Sequence, residues 1–189
     1  MKTKTDIKLS DEELVYKIVE TNNTHLFAVL YDRYSSVVYN KCYGFSKNKE
    51  EAQDLTHDVF IKLFVKLRSF KGKSKFSTWL YSFTYNFCVN YVQRNSHKKK
   101  ERITIVTDDI KEDDNFDEIE DSTLFELKSD KLAKALELID AQDKMILLMK
   151  YQDDMSIQEI QDALELGSSA VKMRIKRAKE KVVRKYQEL

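Results

Sequence analysis

The chain has 189 residues, a formal net charge of +1 and a hydrophobic fraction of 42%, which is enough apolar sequence for a core in one domain or two small ones. Its two cysteines, Cys42 and Cys88, are too few and too far apart in the sequence for a disulfide framework or a zinc site, so we expect both to be buried thiols. No apolar run approaches the roughly 18 residues of a membrane span, and the polar start, residues 1–8, has no signal-peptide core, which predicts a soluble, cytoplasmic protein without membrane insertion.

Helices are predicted along the whole chain. The sequence has no proline and three glycines, and it nowhere sustains the period-2 alternation of strands. Four capping boxes, in which a capping oxygen precedes a carboxylate by three residues, mark helix starts. They are Ser10 with Glu13, Asn48 with Glu51, Thr123 with Glu126, and Ser156 with Glu159. The pattern predicts an all-α fold of six or seven helices.

The first four helices are predicted at about 11–21, 25–43, 49–70 and, from a cap at Ser77 or Thr78, to about 94. The third of them carries apolar residues at helical spacing from Ala52 to Leu67. Its other faces are polar and include Asp54, His57, Asp58, Lys62 and Lys66.

The most informative stretch runs from residue 59 to residue 100. Its 42 residues contain no Asp or Glu, yet they hold ten Lys or Arg and ten of the 21 aromatic residues. Cations at this density bind a phosphate backbone, and flat rings stack on unpaired bases. Because protein surfaces usually mix both signs of charge, the stretch predicts a surface for single-stranded nucleic acid.

The same aromatic residues have a second interpretation, which is packing. On a helix, Trp79, Phe83 and Phe87 fall on one side at a spacing of four residues, and such a stripe is core more often than a platform for bases. We therefore expect Phe83 and Phe87 to be core residues. Trp79, Tyr81 and Tyr85 remain open between packing and nucleic-acid binding.

Residues 98–122 are predicted to form a flexible acidic linker. Nine carboxylates between Asp108 and Asp121, against the single Lys111, and a low apolar content leave too little surface to bury. The predicted domains are therefore 1–97 and 123–189, both small and helical. The linker either folds back on the basic surface or is a solvated spacer, and we favour the spacer.

The second domain is predicted to end in a helix-turn-helix. Apolar residues from Leu124 to Ile139 mark one helix, and those from Met145 to Met149 mark the next. A short helix at 156–164 and a turn at 165–167 then lead to a final helix that carries eight Lys or Arg against two Glu. A three-residue turn before a basic helix is typical of a helix-turn-helix whose second helix enters the major groove.

Four motifs carry a family resemblance. They are DLTHDVF at 54–60, FSTWLY at 76–81, SIQEI at 156–160 and VKMRIKRA at 171–178. In this order, over nearly the whole chain, they resemble the two-domain extracytoplasmic-function (ECF) branch of the sigma-70 family. The resemblance implies a non-catalytic subunit that binds core bacterial RNA polymerase, directs it to promoters and helps to open the minus-ten element. The partners it implies are core polymerase, promoter DNA as duplex and as melted strand, and an anti-sigma factor.

The resemblance also assigns roles to residues. In the family, the helix that matches 54–64 docks on the clamp coiled coil of the largest polymerase subunit. The docking set implied for this chain is Asp54, His57, Asp58 and Lys62. His57 stands where the family usually has glutamine. The minus-ten set is Lys71, Lys73, Lys75, Trp79, Tyr81, Tyr85, Asn86, Asn90, Tyr91 and Arg94, although many members carry arginine at positions 82 and 85. The minus-thirty-five set is Ser168, Ser169, Lys172, Arg174, Lys176 and Arg177.

The helix-turn-helix departs from the family pattern at four positions. The family usually has a small residue at Gln161, a turn glycine at Glu165, a capping serine at Gly167 and a threonine at Ala170. Because a small residue lets helices approach and a glycine supplies a left-handed turn, the departures suggest a looser or re-angled motif in which Gly167 takes over the turn. They motivate the hypothesis that another DNA-binding protein helps to place this factor; the alternative is unaided reading of the minus-thirty-five sequence.

Two other classes of protein fit the sequence less well. A stand-alone two-domain helix-turn-helix regulator would explain the final helix, but it leaves the stretch 59–100 and the motif at 54–60 without a purpose. An enzyme is not predicted, because His25, His57 and His97 are scattered and neither metal-ligand spacing nor a glycine-rich phosphate loop occurs. We therefore predict no catalytic residue, metal or cofactor.

Overall fold

The computed structural model describes residues 9–102 and 119–189, so that most of the predicted linker, residues 103–118, lies outside the described residues. The chain divides into two compact units, Met1–Cys88 and Val89–Leu189. All regular structure in the described ranges is helical, which confirms the all-α prediction. No helix within these ranges is long and apolar enough to cross a membrane.

Nine α-helices lie in the described part of the chain. They are α1 (Asp11–Thr21), α2 (Thr24–Ser46), α3 (Lys49–Lys66), α4 (Phe76–Arg102), α5 (Asp121–Glu126), α6 (Ser129–Leu138), α7 (Ala141–Leu147), α8 (Ile157–Leu164) and α9 (Ser168–Glu188). A 3₁₀ turn, Leu67–Ser69, follows α3, and a π-helical turn, Leu148–Gln152, follows α7.

Three of the four predicted caps are present at helix starts. Ser10 and Ser156 form full capping boxes, each bonded reciprocally to the glutamate three residues later. Asn48 accepts hydrogen bonds from the first backbone amides of α3. The prediction for Thr123 is wrong, because α5 begins two residues earlier, at Asp121.

The core of the first unit is built by apolar residues of α1, α2, α3 and α4. Its largest fully buried side chains are Leu14, Leu30, Val38, Val59, Leu63, Leu67, Phe76, Leu80 and Tyr85. Both cysteines are fully buried free thiols, as predicted, and their Sγ atoms lie 3.8 Å apart although the residues are distant in the sequence. The hydrogen bond that the Cys88 thiol donates to Cys42, together with burial, raises the pKa of Cys88, and the same hydrogen bond lowers the pKa of Cys42.

In the second unit, α6, α7 and α8 all pack against α9. Lys179, which is almost completely buried on α9, forms a 2.8 Å ion pair with Asp121 at the start of α5. Asp121 also accepts a 2.6 Å hydrogen bond from the Tyr151 hydroxyl. These two hydrogen bonds lower the pKa of Asp121, and the bond from Lys179 has the larger effect. They also connect α5 to the rest of the unit.

Three helix boundaries differ from the predictions. Helix α4 begins at Phe76, before the predicted caps Ser77 and Thr78. The single helix expected between Leu124 and Ile139 is divided into α5 and α6, because the Lys128 amide donates to the Tyr186 hydroxyl instead of continuing the helix. Helix α4 runs to Arg102 rather than to about residue 94. Nothing in residues 95–102 stops a helix, since they contain neither glycine nor proline and include lysines with good helix propensity.

Candidate polymerase and nucleic-acid interfaces

The four predicted docking residues all lie on the exposed surface of α3. Asp54, His57, Asp58 and Lys62 are exposed, and their spacing of three or four residues places them on one side of the helix. None of their side chains is needed for the core, which α3 fills from its opposite face with Leu55, Val59 and Leu63 among others. The geometry suits contact with another protein.

Two apolar residues that the sequence analysis missed extend this face. Ile61 and Val65 are 53% and 72% exposed, and they continue the series of Asp54 and Asp58 at spacings of three and four. Their position outside the buried stripe of α3 is the signal that could have revealed them. An exposed patch with carboxylates at one end and aliphatic groups at the other is typical of a protein-binding surface.

A basic loop connects the 3₁₀ turn to α4. Lys71, Lys73 and Lys75 are all exposed, and Gly72 has a φ of 67°, a left-handed conformation that most residues avoid. The loop thus presents three ammonium groups within five residues, as a phosphate backbone requires.

The first turn of α4 is fixed from another helix. The Phe76 amide donates a 2.9 Å hydrogen bond to Oε1 of Glu12 on α1, which satisfies a backbone group that a helix start leaves unpaired. The negative carboxylate also suits the positive end of the α4 dipole. Glu12 therefore sets where α4 begins beside the basic loop.

An aromatic cluster covers this end of α4. The Trp79 ring stacks on Phe83 at 5.7 Å and contacts Phe70 and Phe76 at 5.5 and 5.9 Å. Trp79 and Phe83 are both half-buried. Phe87 is also half-buried, and its ring faces the Lys62 ammonium at 4.6 Å. The stripe is therefore partly core, while its outer edges remain accessible.

The two tyrosines of α4 differ in position. Tyr81 is half-buried, whereas Tyr85 is 0% exposed. Lys41 on α2 donates a 2.9 Å hydrogen bond to the Tyr85 hydroxyl, and its ammonium lies over both rings. A ring without exposed surface cannot stack on a base, so the assignment of Tyr85 to the minus-ten set is corrected to a packing role.

The remaining minus-ten residues extend along α4. Asn86, Asn90 and Arg94 are exposed and follow one another at intervals of four residues, which places them on one side of the helix. Tyr91 is half-buried. Amides and a guanidinium in a row offer hydrogen bonds to bases and phosphates.

The turn of the helix-turn-helix is made by Glu165, not by Gly167. Glu165 adopts φ 55° and ψ 42°, and its amide donates to the Gln161 carbonyl oxygen. Gly167 has φ −73° and serves as the N-cap of α9. The expectation that the glycine takes over the turn is wrong, because the left-handed position remains where the family has glycine and is held by a residue with a Cβ.

The cations of α9 fall into two groups. Of the predicted minus-thirty-five residues, Ser168, Ser169, Lys172, Arg174 and Arg177 are exposed and Lys176 is half-buried. Three lysines further along α9 form ion pairs within the unit: Lys179 with Asp121, Lys181 with Asp143 and Lys185 with Glu188. The candidate DNA surface is therefore the first half of the helix. It also includes Met173, which is 50% exposed and which the sequence analysis missed.

The two units thus define a helical protein with an exposed α3 face of carboxylates and aliphatic groups, a basic aromatic surface and a helix-turn-helix. The family model "Sigma-70 region 2" matches residues 30–98, and "Sigma-70, region 4" matches residues 129–182. The ECF RNA polymerase sigma factor SigW of Bacillus subtilis is 29% identical over 92% of this chain and 95% of its own length.

Two solved structures are similar in fold. One is the sigma factor RpoE of Bartonella quintana in complex with the anti-sigma factor NepR, with a TM-score of 0.60, 15% identity and coverage of 85% of this chain and 96% of that chain. The other is CnrH in complex with the cytosolic domain of CnrY, with a TM-score of 0.59, 19% identity and coverage of 92% and 94%.

The chain belongs to the sigma-70 family of RNA polymerase sigma factors, in its ECF branch. It is therefore a transcription-initiation factor that binds RNA polymerase and directs it to promoters. The stand-alone regulator is not favoured, because both sigma-70 regions are present in the family order.

Proposed function

We propose that α3 docks on core polymerase and that the basic loop and α4 capture the opened minus-ten strand. The observation that carries this proposal is the difference in chemistry between the exposed face of α3 and the surface of the loop and α4. The α3 face holds Asp54, Asp58, Ile61 and Val65, whereas the loop and residues 76–94 of α4 present cations and aromatic edges without any carboxylate. The first suits a protein and the second suits a polyanion.

Capture of unpaired bases accounts for the aromatic edges of α4. Opening a duplex costs a few kcal/mol per unstacked step, and stacking on a protein ring returns about 1 to 3 kcal/mol per base. Trp79 and Tyr81 are half-buried, so each is anchored in the protein and still has accessible ring surface. Lys71, Lys73 and Lys75 then hold the backbone, while Asn86, Asn90, Tyr91 and Arg94 supply further contacts.

In the second unit, α9 is the element that contacts the minus-thirty-five region. Its exposed residues combine Lys172, Arg174 and Arg177 with the apolar Met173. Arginine pairs with guanine, and an apolar side chain contacts the methyl group of thymine in the major groove. The role proposed for the protein is non-catalytic throughout, and it is exercised in the cytoplasm, where RNA polymerase works.

A second possibility is that another DNA-binding protein helps to place the factor. It is favoured by the first turn of α9, where base-reading residues usually lie and where only the small side chains of Ser168, Ser169 and Ala170 are exposed. Footprinting of the reconstituted holoenzyme on its promoter distinguishes the two cases. Sequence-specific upstream protection without any further protein would rule the helper out.

Reconstitution with core polymerase tests the proposed function itself. We expect the purified protein to elute with core enzyme in size-exclusion chromatography and to support transcription from a cognate promoter. Failure to bind core enzyme, together with tight binding of duplex DNA by the isolated chain, would overturn the proposal. An anti-sigma factor, such as the one bound to the structurally similar RpoE, is a further partner to seek among co-purifying proteins.

A further inference from the structure

Lys41 is a buried cation that takes no part in the contacts of the proposed function. The residue is 4% exposed on α2, and its Nζ atom lies 4.2 Å from the centroid of the Tyr81 ring and 4.6 Å from that of Tyr85. Nζ also donates a 2.9 Å hydrogen bond to the Tyr85 hydroxyl. The ammonium thus lies against two aromatic residues of α4.

Burial of this charge is unfavourable for stability. Removing an ammonium from water costs more than burying an apolar side chain of the same length, and replacing buried ionic groups by apolar residues is often neutral or stabilising. A lysine at this place is therefore better explained by what it does to its neighbours than by its contribution to the core.

The neighbours of Lys41 define that effect. Tyr81 is half-buried, and its ring is bounded by the Lys41 ammonium and, at 6.4 Å, by the edge of Tyr34. A cation over a ring within about 6 Å attracts it, more strongly when the cation is desolvated. Tyr34 is in turn fixed by a hydrogen bond from its hydroxyl to Asp11. The Tyr81 ring is therefore held from the inside of the unit.

We infer that Lys41 is a positioning residue for capture of the minus-ten strand, because its ammonium holds the Tyr81 ring in the orientation that an unpaired base stacks on. The inference rests on the proposed function, in which Tyr81 contacts the opened strand. Tyr85 serves as the internal anchor of Lys41 through its hydroxyl. This gives the one buried tyrosine of the minus-ten set a function without any contact to DNA.

The experiment compares Lys41→Met, Lys41→Arg and Tyr81→Ala in reconstituted holoenzyme. Opening is followed by the fluorescence of a base analogue in the minus-ten strand, duplex binding by anisotropy, and folding by thermal unfolding. Lys41→Met keeps the length of the side chain but removes the charge, so we expect opening about tenfold slower, with duplex binding and unfolding temperature preserved. Lys41→Arg keeps the charge and should open the promoter at the rate of the unaltered protein. Lys17→Met, which removes an exposed charge on α1, is the matched control and should open normally.

A double-mutant cycle tests the anchor. Tyr85→Phe removes the hydroxyl that accepts the hydrogen bond, so it should slow opening less than Lys41→Met does and add nothing in the Lys41→Met background. Normal opening by Lys41→Met would overturn the inference. The inference would also be overturned if Lys41→Met slowed opening in proportion to a fall in its unfolding temperature and Lys41→Arg were equally slow. If holoenzyme with Tyr81→Ala opens the promoter at the normal rate, the proposed role of Tyr81 is wrong. If Tyr81→Ala slows opening but Lys41→Met does not, the role of Tyr81 stands and the inference about Lys41 is wrong.

Discussion

Glu12 on α1 accepts a 2.9 Å hydrogen bond from the backbone amide of Phe76, the first residue of α4. The neighbouring acidic residues of α1 have equally specific partners. Asp11 pairs with Arg33 at 2.6 Å and accepts from the Tyr34 hydroxyl, both on α2. Glu13 closes the capping box of α1 itself. The first turn of α1 therefore joins three helices and fixes the start of the helix that we propose meets the opened strand.

Removal of this contact should destabilise the first unit. We expect Glu12→Ala to lower the free energy of unfolding by about 1 kcal/mol, the usual value of a lost helix cap. Thermal unfolding followed by circular dichroism measures the change. Glu20→Ala, at an exposed position of the same helix, is the control; an equal effect of both substitutions would show that the contact contributes nothing specific.

Charge reversal on α3 should abolish polymerase binding. Asp54→Arg and Asp58→Arg place cations on the proposed docking face, and both residues are exposed, so the fold should be retained. Co-purification with core polymerase measures binding. Glu20→Arg makes the same charge reversal at an exposed position of α1 and should bind as the unaltered protein does. Holoenzyme formation at unchanged affinity by the two aspartate variants would refute the docking role.

Glycine at position 165 should stabilise the helix-turn-helix. A left-handed residue with a Cβ costs about 1 to 2 kcal/mol, of which the greater freedom of glycine in the unfolded chain cancels about 0.5 to 1 kcal/mol. Glu165→Gly should therefore raise the free energy of unfolding by about 0.5 to 1 kcal/mol. Glu165→Ala keeps the Cβ and should bring no gain. A loss of stability in the glycine variant would contradict the assignment of the turn.

Acid should weaken the anchor of α5. Hydrogen bonds from Lys179 and Tyr151 hold the pKa of Asp121 below its ordinary value of 3.8, so the unfolded state binds the proton more readily than the folded state. The stabilisation is complete above pH 3.8 and is lost as the pH falls through the lower pKa of the folded state. Thermal unfolding between about pH 6 and pH 2 should thus show a steeper loss for the unaltered chain than for Asp121→Asn. Asp130→Asn, at an exposed position, should retain the steep loss.

Much of this architecture could be predicted because it depends on local chemistry. The boxes at Ser10 and Ser156 and the apolar stripe of α3 involve residues three or four apart, so the spacing alone defines helix starts and the buried face. The exposure of Asp54, His57 and Asp58 follows from the same periodicity. Both helices of the helix-turn-helix were predicted for this reason.

Contacts between distant residues could not be predicted in this way. The capping of α4 by Glu12 joins residues 64 apart, and the bond from Lys41 to Tyr85 joins residues 44 apart. No periodicity reports such a pair. The burial of Tyr85 and Lys179 also depends on the polar partner that each contacts in the folded chain. Because the sequence does not reveal these partners, an aromatic or basic residue in a functional stretch is predicted to be exposed. The break between α5 and α6 has the same origin in Tyr186.

In the proposed function, the aromatic edges of α4 capture the opened minus-ten strand. The most direct test is the fluorescence of a base analogue in that strand, measured with holoenzyme that contains Trp79→Ala or Tyr81→Ala, and with Tyr16→Ala as a control at an exposed aromatic residue of α1. We predict that all three variants bind core polymerase and duplex promoter, and that only the two α4 variants lose the fluorescence rise. A rise at the rate of the unaltered holoenzyme in both α4 variants would contradict the account.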